Sequence, residues 1–455
     1  MKLRDWIEEN KESMIQDVNR LVSIASVSSP AEGGYPFGPG CKQVLDQMLA
    51  MASSYGFDTC NYEDYCGSAV LKGEREEELG LFSHLDVVPE GSGWTVTSPY
   101  TPVIKDGWIY GRGSADNKGP AVAALYAMRY LKEQGIALKH SLRQFYGCDE
   151  ERGMEDIAYY LTKQKPPKFA LVPDAAFPVC CGEKGRIGLT CETDLPGRIL
   201  SIRGGEGKNA VPSCAKAILE GEFDGPCGDM KITVENGTTR IEASGQAAHS
   251  GKPEGGENAI SKLAAFLCDS GWLTEDEKKT VRFLGEGFSD FYGSGLHISC
   301  EDEISGRLTA VATFLTTENS KLKLFVDLRY PVSGDGRKLE EQFCRAAAGY
   351  GWTVSVTEQN PGFYLDKDDN IVGLLTGICK EVYGKEFEPY CMGGGTYARK
   401  LPKAVGYGPS LSDQKKPCQE GHGKGHQPDE CVCIDNLLNA VEIYVKAILE
   451  LDKIL

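Results

Sequence analysis

Apolar and polar positions along the chain follow two different periods. From about Ser68 to Asp174, "SAVLKG", "LGLFSH", "SLRQFYGCDEE" and "KFALVPD" are short apolar runs bounded by turn or polar residues, and they predict strands. Between them, "GPAVAALYAMRYLKEQG" has helical spacing and ends on Gly135, placed as a C-cap. Such alternation predicts an α/β domain with a largely parallel central sheet. Leu3, Trp6, Ile7, Met14, Ile15, Val18, Leu21 and Val22 mark an amphipathic helix at the start of the chain.

The pattern changes after about Gly182. "KITVENGTTRIEASG" sets Asn236 and Gly237 between two alternating runs, a hairpin signal. "RLTAVATFLTTENSKLKLFVDLRYP" predicts a second strand pair, with helical pieces such as "ENAISKLAAFLC" between the two. "DDNIVGLLTGICKEVYGKEF" then returns to helix, and "CVCID" with "NLLNAVEIYVKAILEL" adds a strand and a last helix. The simplest architecture is a first domain, 1–181 and 367–455, interrupted by an inserted α+β domain, 182–366.

Composition narrows the partners. With 455 residues the chain exceeds one typical core, which agrees with two domains. Hydrophobic content of 41% and charged content of 25% are ordinary for a globular protein. A net charge of −17 argues against nucleic acid and anionic membrane as partners, since both require basic patches. No run is apolar enough to span a bilayer, and the N-terminus lacks the features of a signal peptide, so a cytoplasmic location is expected. The 17 cysteines, odd in number in a large chain, are expected to be mostly reduced core thiols.

Several acids and histidines fall at predicted strand ends, where ligands gather in parallel sheets. His84 ends "LGLFSH", and Asp86 projects to the same side of an extended segment, so its carboxylate can orient the imidazole. Asp116 in "GRGSADNKGP" precedes a helix and could simply cap it. In "FYGCDEERG", the adjacent side chains of Glu150 and Glu151 diverge; one can ligate while the other faces a substrate water. Asp174 follows "FALVP", His249 lies in the glycine-rich "GQAAHSGKPEGG", and Arg329 closes "KLKLFVDLRYP", where it could clamp a carboxylate. "MGGGTYAR" lacks the lysine and spacing of a phosphate-binding loop, leaving close backbone approach to a ligand at Gly394, Gly395 and Thr396. Cys418, His422, His426, Cys431 and Cys433 have spacings open to a structural zinc knuckle, although Val432 and Ile434 alternate with the two later cysteines as in a half-buried strand.

In order, "SHLDVVPEG", "GRGSADNKGP", "GCDEERG", "VPDAAFPV", "GQAAHSGKPEGGENA", "GGGTYAR" and "HQPDE" resemble the signatures of the di-zinc aminoacylase, deacetylase and dipeptidase metallopeptidases. The forms of the last two motifs and the large inserted domain are most similar to the bacterial PepV/Sapep-type dipeptidases. The resemblance implies a zinc-peptidase-like catalytic domain and a lid with hinges near 182 and 366. It implies two divalent ions, zinc first and manganese second, held by His84, Asp174, Glu151 and His426 with Asp116 bridging. Asp86 would orient His84, Glu150 would be the general base, and His249 from the lid would stabilise the oxyanion. Asn209 and Arg329 would contact substrate, and His422 would be a mobile loop residue. The implied activity is hydrolysis of unblocked dipeptides by a monomer whose small peptide substrate is closed over by its own lid. The rivals are an N-acyl amino acid deacylase of the same family and a non-catalytic peptide-binding protein on the same scaffold.

Overall fold

The strand Arg75–His84 is exposed over its first three residues and buried from Leu79 to His84, the pattern of a strand covered on both faces of a sheet. It lies between His140–Gly147 and Phe169–Val172, parallel to both, and Ala404–Gly406 continues the parallel set beyond Phe169–Val172. Cys66–Leu71 and then Asp58–Tyr62 extend the other side in antiparallel fashion. The centre of this α/β sheet is therefore parallel, as its apolar runs require.

The computed structural model describes residues 1–455 and divides into two units. The first is Met1–Cys181 with Leu365–Tyr390 and Gly395–Leu455; the second is Gly182–Tyr364 with Cys391–Gly394. The return to the first unit comes two residues before the expected 366/367 exchange. Cys391–Gly394, expected in the first domain, goes with the second because the carbonyls of Met392 and Gly393 accept hydrogen bonds from Lys184 N and Arg329 Nη1.

Helix Lys118–Glu133 packs against the helices Leu3–Val22 and Ile434–Ile454 and against the sheet. From Lys118 to Met128 every residue is buried, which the Ala-rich "GPAVAALYAM" permits because small side chains let neighbours approach on all sides. Gln134 caps this helix, and Gly135 follows in the left-handed region at φ +61°, the usual place for glycine just past a helix end. At its other end the helix starts beside a strand end, where Asn117 Nδ2 donates to the Pro173 carbonyl.

The second unit holds one eight-stranded antiparallel sheet in the order 231–235, 238–244, 214–220, 199–204, 309–318, 321–330, 185–194 and 353–360. Asn236 and Gly237 take φ of +52° and +73°, as a two-residue hairpin turn demands. Asn319 and Ser320 do the same at +50° and +61° in the other hairpin. Its core joins Ile187, Leu324, Val326 and Leu328 of the sheet to Leu263, Phe283 and Phe343 of helices. No helix of the chain is long and apolar enough to cross a membrane.

The burial of Leu125 gives a direct test of this packing. Leu125→Ala, at a fully buried position of the central helix, should lower stability by about 2–5 kcal/mol. A denaturant midpoint equal to that of the parent protein would contradict the packing described.

Candidate metal centre

His84 is the last residue of its strand and is in register with Gly147 of the neighbouring one. Two residues on, the carboxylate of Asp86 turns across to the next loop: Oδ1 accepts from Glu150 N (3.2 Å) and Oδ2 from Glu151 N (3.0 Å). His84 Nδ1 instead meets the Asp86 main-chain carbonyl at 3.0 Å, with the carboxylate Oδ1 at 3.4 Å. Asp86 thus orients the imidazole chiefly through its backbone, and its side chain shapes the loop that carries the two glutamates. That corrects the expectation that the carboxylate would be the acceptor.

The same loop is held from behind by two further buried acids. Asp156 accepts from the amides of Cys148 (2.7 Å) and Asp149 (2.9 Å) and from the Tyr397 hydroxyl. Asp149 accepts from Ser28 Oγ (2.6 Å), Arg152 Nε (3.1 Å) and Glu155 N (3.2 Å). The first acid of "DEE" is therefore structural, and only the second and third reach the strand ends.

Asp116 occupies the turn before helix Lys118–Glu133. Oε1 of Glu430, fully buried, accepts from the amides of Gly113 (3.1 Å), Ala115 (2.9 Å) and Asp116 (3.0 Å), and its Oε2 pairs with Arg112 at 2.7 Å. This carboxylate does for the turn what a helix would do for its own amides. Asn117 Nδ2 donates to the Pro173 carbonyl and to Asp174 Oδ1 (3.3 Å), joining this turn to the end of the next strand. Glu430 and Arg112 lay inside motifs legible in the sequence, yet only a search for partners of a buried arginine would have singled them out.

The elements bring the other three expected ligands, Asp174, Glu151 and His426, around His84 and Asp116. His84 Nε2 is 3.1 Å from Asp116 Oδ1 and 3.7 Å from Asp174 Oδ2. His426 Nε2 is 2.9 Å from Glu151 Oε1 and 3.3 Å from Asp116 Oδ2. Asp116 thus presents one oxygen to each histidine. The donor atoms of His84, Glu150 and Asp174 lie within 4.8 Å of one another, as do those of His84, Asp116 and Glu151. Oε1 of Glu150 is buried without a hydrogen-bond partner. Imidazole nitrogens and carboxylate oxygens at this spacing, with a shielded oxygen left over, fit divalent metal ions.

The downstream loop separates its two histidines by partner. His426, with its backbone in the left-handed region at φ +65°, turns to Glu151 and Asp116. His422, expected to be mobile, is held: Nδ1 lies 2.7 Å from Asp429 Oδ2 and Nε2 lies 2.8 Å from Gln419 Nε2. The zinc-knuckle alternative is not assembled. Cys418 and Cys431 approach with sulfurs 3.9 Å apart, but both histidines are directed to carboxylates, and Cys431–Cys433 forms a strand against Trp108–Tyr110.

Electrostatics follow from the crowding. Burial opposes the charged form of His84, but the nearby carboxylates of Asp116, Asp174 and Asp86 outweigh it and hold its pKa well above the ordinary imidazole range. Burial likewise opposes His426, yet Asp116 and Glu151 push it up to about 11. Burial raises Glu150 well above a normal glutamate, with repulsion from Asp174, Glu151 and Asp86 adding to it. Burial and the charge of Asp116 take Glu151 up to about 7. Asp116 is lowered, because the two histidines overcome its burial. Acids forced up and imidazoles forced up in one cluster are the signature of a site built for more positive charge than its own side chains supply.

The remaining expected site residues belong mostly to the second unit. His249 follows the strand Thr238–Ser244 in a loop bridged to Ala210, next to Asn209. Its Nδ1 accepts from Gly251 N at 3.1 Å, so the ring proton of the neutral form resides on Nε2. Arg329 donates through Nη1 to the Gly393 carbonyl at 2.6 Å. Gly394 closes the second unit's short segment, and Gly395 opens the last stretch of the first. A Cβ at Gly395 would come 2.2 Å from the Arg399 guanidinium, which would have to move to admit it. The Thr396 hydroxyl caps a short 3-10 turn by accepting from Ala398 N at 3.1 Å.

The description "Peptidase family M20/M25/M40" matches residues 80–450, the span that holds every one of these side chains. The chain belongs to that family. It is a hydrolase of the metallopeptidase class. Over 466 residues it is 32% identical to the Bacillus subtilis (strain 168) protein named "Putative dipeptidase YtjP", covering 97% of this chain and 98% of that one. A Staphylococcus aureus (strain USA300) protein, also named as a putative dipeptidase, is 30% identical over 98% of this chain and 99% of its own. Among solved structures, human carnosine dipeptidase 1 shares the fold with a TM-score of 0.66 at 15% identity, over 100% of this chain and 98% of that one. The di-peptidase Dug1p of Saccharomyces cerevisiae does so at 0.63 and 15%, with 98% of each chain covered.

Asp429 supplies a pH test of the loop that carries His426. Burial works against its charge, but donation from Thr95 and Val96 and the contact with His422 bring its pKa down to about 2. A depressed carboxyl stabilises the fold above its unfolded value of about 3.9 and loses that contribution as pH falls through about 2, a term of about 2 kcal/mol. Stability measured from pH 5 to pH 2 should fall less steeply in Asp429→Asn than in the parent; parallel curves would remove the assignment.

Proposed function

We propose that this family member is a two-metal dipeptidase that hydrolyses the peptide bond of unblocked dipeptides. The observation that carries the reading is Asp116, whose two oxygens are divided between His84 and His426. A carboxylate shared in this way is what a pair of ions needs as its bridge. In this reading His84 and Asp174 hold one ion and Glu151 and His426 the other. Zinc is the first choice and manganese the second, because a set of imidazoles and carboxylates suits both. Bound divalent ions would supply Lewis acidity, easing ionisation of the attacking water and drawing charge from the scissile carbonyl.

The protein's own residues do the rest. Glu150, with Oε1 shielded from solvent and other donors, takes the proton of the attacking water and delivers it to the departing nitrogen. Its burial and acidic neighbours raise its proton affinity, which suits a group that must both accept and release a proton. His249, with Nδ1 engaged by Gly251 N, offers Nε2–H to the oxyanion that develops at the carbonyl. Arg329 and Asn209 of the second unit bind the substrate carboxylate, and the Gly394–Thr396 main chain lies along the peptide.

Dipeptides are favoured over N-acyl amino acids by the names of the full-length relatives in Bacillus subtilis and Staphylococcus aureus. The 17 cysteines, all free, suit a reducing cytoplasm.

Two measurements test the reading. Glu150→Gln should keep its bound metal and lose about 10²–10⁴-fold in kcat; turnover equal to the parent's would exclude Glu150 as the base. A panel of unblocked dipeptides against N-acetyl and N-succinyl amino acids should show kcat/KM higher for the dipeptides. A strong preference for the acylated compounds would replace the dipeptidase assignment with a deacylase.

A further inference from the structure

The three second-unit residues given to substrate in the preceding reading come from distant parts of the sequence, yet one buried carboxylate connects them. Asp327, 2% exposed, lies on the strand Lys321–Tyr330. Its Oδ1 accepts from Arg186 Nε at 2.7 Å; its Oδ2 accepts from Arg329 Nε at 2.9 Å and from Ser250 Oγ at 2.5 Å. Arg329 Nη2 also reaches Ser250 Oγ, at 3.4 Å. Ser250 is the residue after His249, and its amide donates to the Asn209 carbonyl at 3.0 Å. At Gly251 the loop passes so close over the guanidinium that a Cβ would lie 2.9 Å from Arg329 Nη1. The loop and the arginine are therefore locked to one another, and both are locked to Asp327.

Energetics argue that this triad is kept for its geometry. Taking two guanidinium groups and a carboxylate out of water costs more than a well-packed apolar cluster of the same volume would, so such an arrangement is weak as a stabiliser. What it provides is direction: Nε anchored to a carboxylate fixes the plane in which the two terminal nitrogens of Arg329 point. We infer that Asp327 is a positioning residue for the reaction, setting the Arg329 guanidinium and, through Ser250, the His249 and Asn209 loops in one fixed relation. The inference rests on the roles proposed above for Arg329 and His249. Arg186, which shares Asp327, is paired in turn with Glu358, whose Oε2 lies 3.2 Å from its Nη1.

The test is a set of double-mutant cycles on the metal-loaded full-length chain, reading kcat and KM with an unblocked dipeptide. Asp327→Asn should lower kcat/KM about 100-fold, and the double variant with Arg329→Gln should lose at least tenfold less than the product of the two single losses. Ser250→Ala keeps the charged triad and so tests the inference even if Asp327→Asn does not fold. It should lower kcat about tenfold with little change in KM, and should have almost no further effect in a His249→Ala background. A merely structural role would give the same factor in every background, and additive losses in both cycles would overturn the inference. If Arg329→Gln and His249→Ala are impaired while Asp327→Asn and Ser250→Ala match the parent, this inference alone falls. If Arg329→Gln and His249→Ala are themselves fully active, the substrate roles fall and the inference falls with them.

Discussion

Repulsion among carboxylates at the ends of the parallel strands is the constraint to which the first unit is built. Asp86, Asp116, Glu150, Glu151 and Asp174 all converge there, and only His84 and His426 stand directly among them. Two like charges about 4 Å apart repel by about 4 kcal/mol at the effective dielectric of a protein surface. The cluster relieves part of this by binding protons: burial first and the neighbouring carboxylates second push three of the acids up, and the acids push both imidazoles up. A divalent cation relieves it more completely, and the same repulsion becomes affinity for that ion. The fold thus holds in place an arrangement that the side chains alone would not choose.

Holding it requires loops as stiff as regular structure. The solution recurs three times: a buried carboxylate accepts several main-chain amides and fixes the curve of a loop. Asp86 does this for Glu150 and Glu151, Asp156 for Cys148 and Asp149, and Glu430 for the turn before Asp116. Burial and the proximity of Asp86 raise Asp156 up to about 7, so this support carries the same electrostatic load as the site it supports. Lys118, whose burial lowers it to about 7, donates to the Ile24 carbonyl at 2.7 Å and anchors the helix that starts beside Asp116. In the second unit Asp327 uses the same device with arginines in place of amides.

Much of this was legible in the sequence because it depends on local periodicity. Short apolar runs ending on His84 and just before Asp174, an alanine-rich helix ending before Gly135, and a hairpin at Asn236-Gly237 each follow from the residues themselves. What periodicity could not show was which atom of a residue would act. Asp86 and His84 were rightly paired, but the link runs through the carbonyl, because two amides 64 and 65 positions away claim the carboxylate. His426 could be chosen over His422 only through a family resemblance; the physical reason is Asp429, which holds His422 against Gln419 and away from the acids. Glu430, Arg112 and Asp327 escaped notice because their partners are distant in sequence. The assignment of Cys391–Gly394 to the second unit depends on two carbonyls whose donors lie 64 and more than 200 positions away.

The central claim is that Asp116 joins two ions on which hydrolysis depends. Its most direct test is titration of metal-stripped protein with zinc, and separately with manganese, following the heat of binding and dipeptide hydrolysis together. The account predicts two equivalents bound per chain, with activity absent at the start and rising as the pair of sites fills. Full activity in the stripped protein, or saturation of binding and activity at a single equivalent, would contradict it.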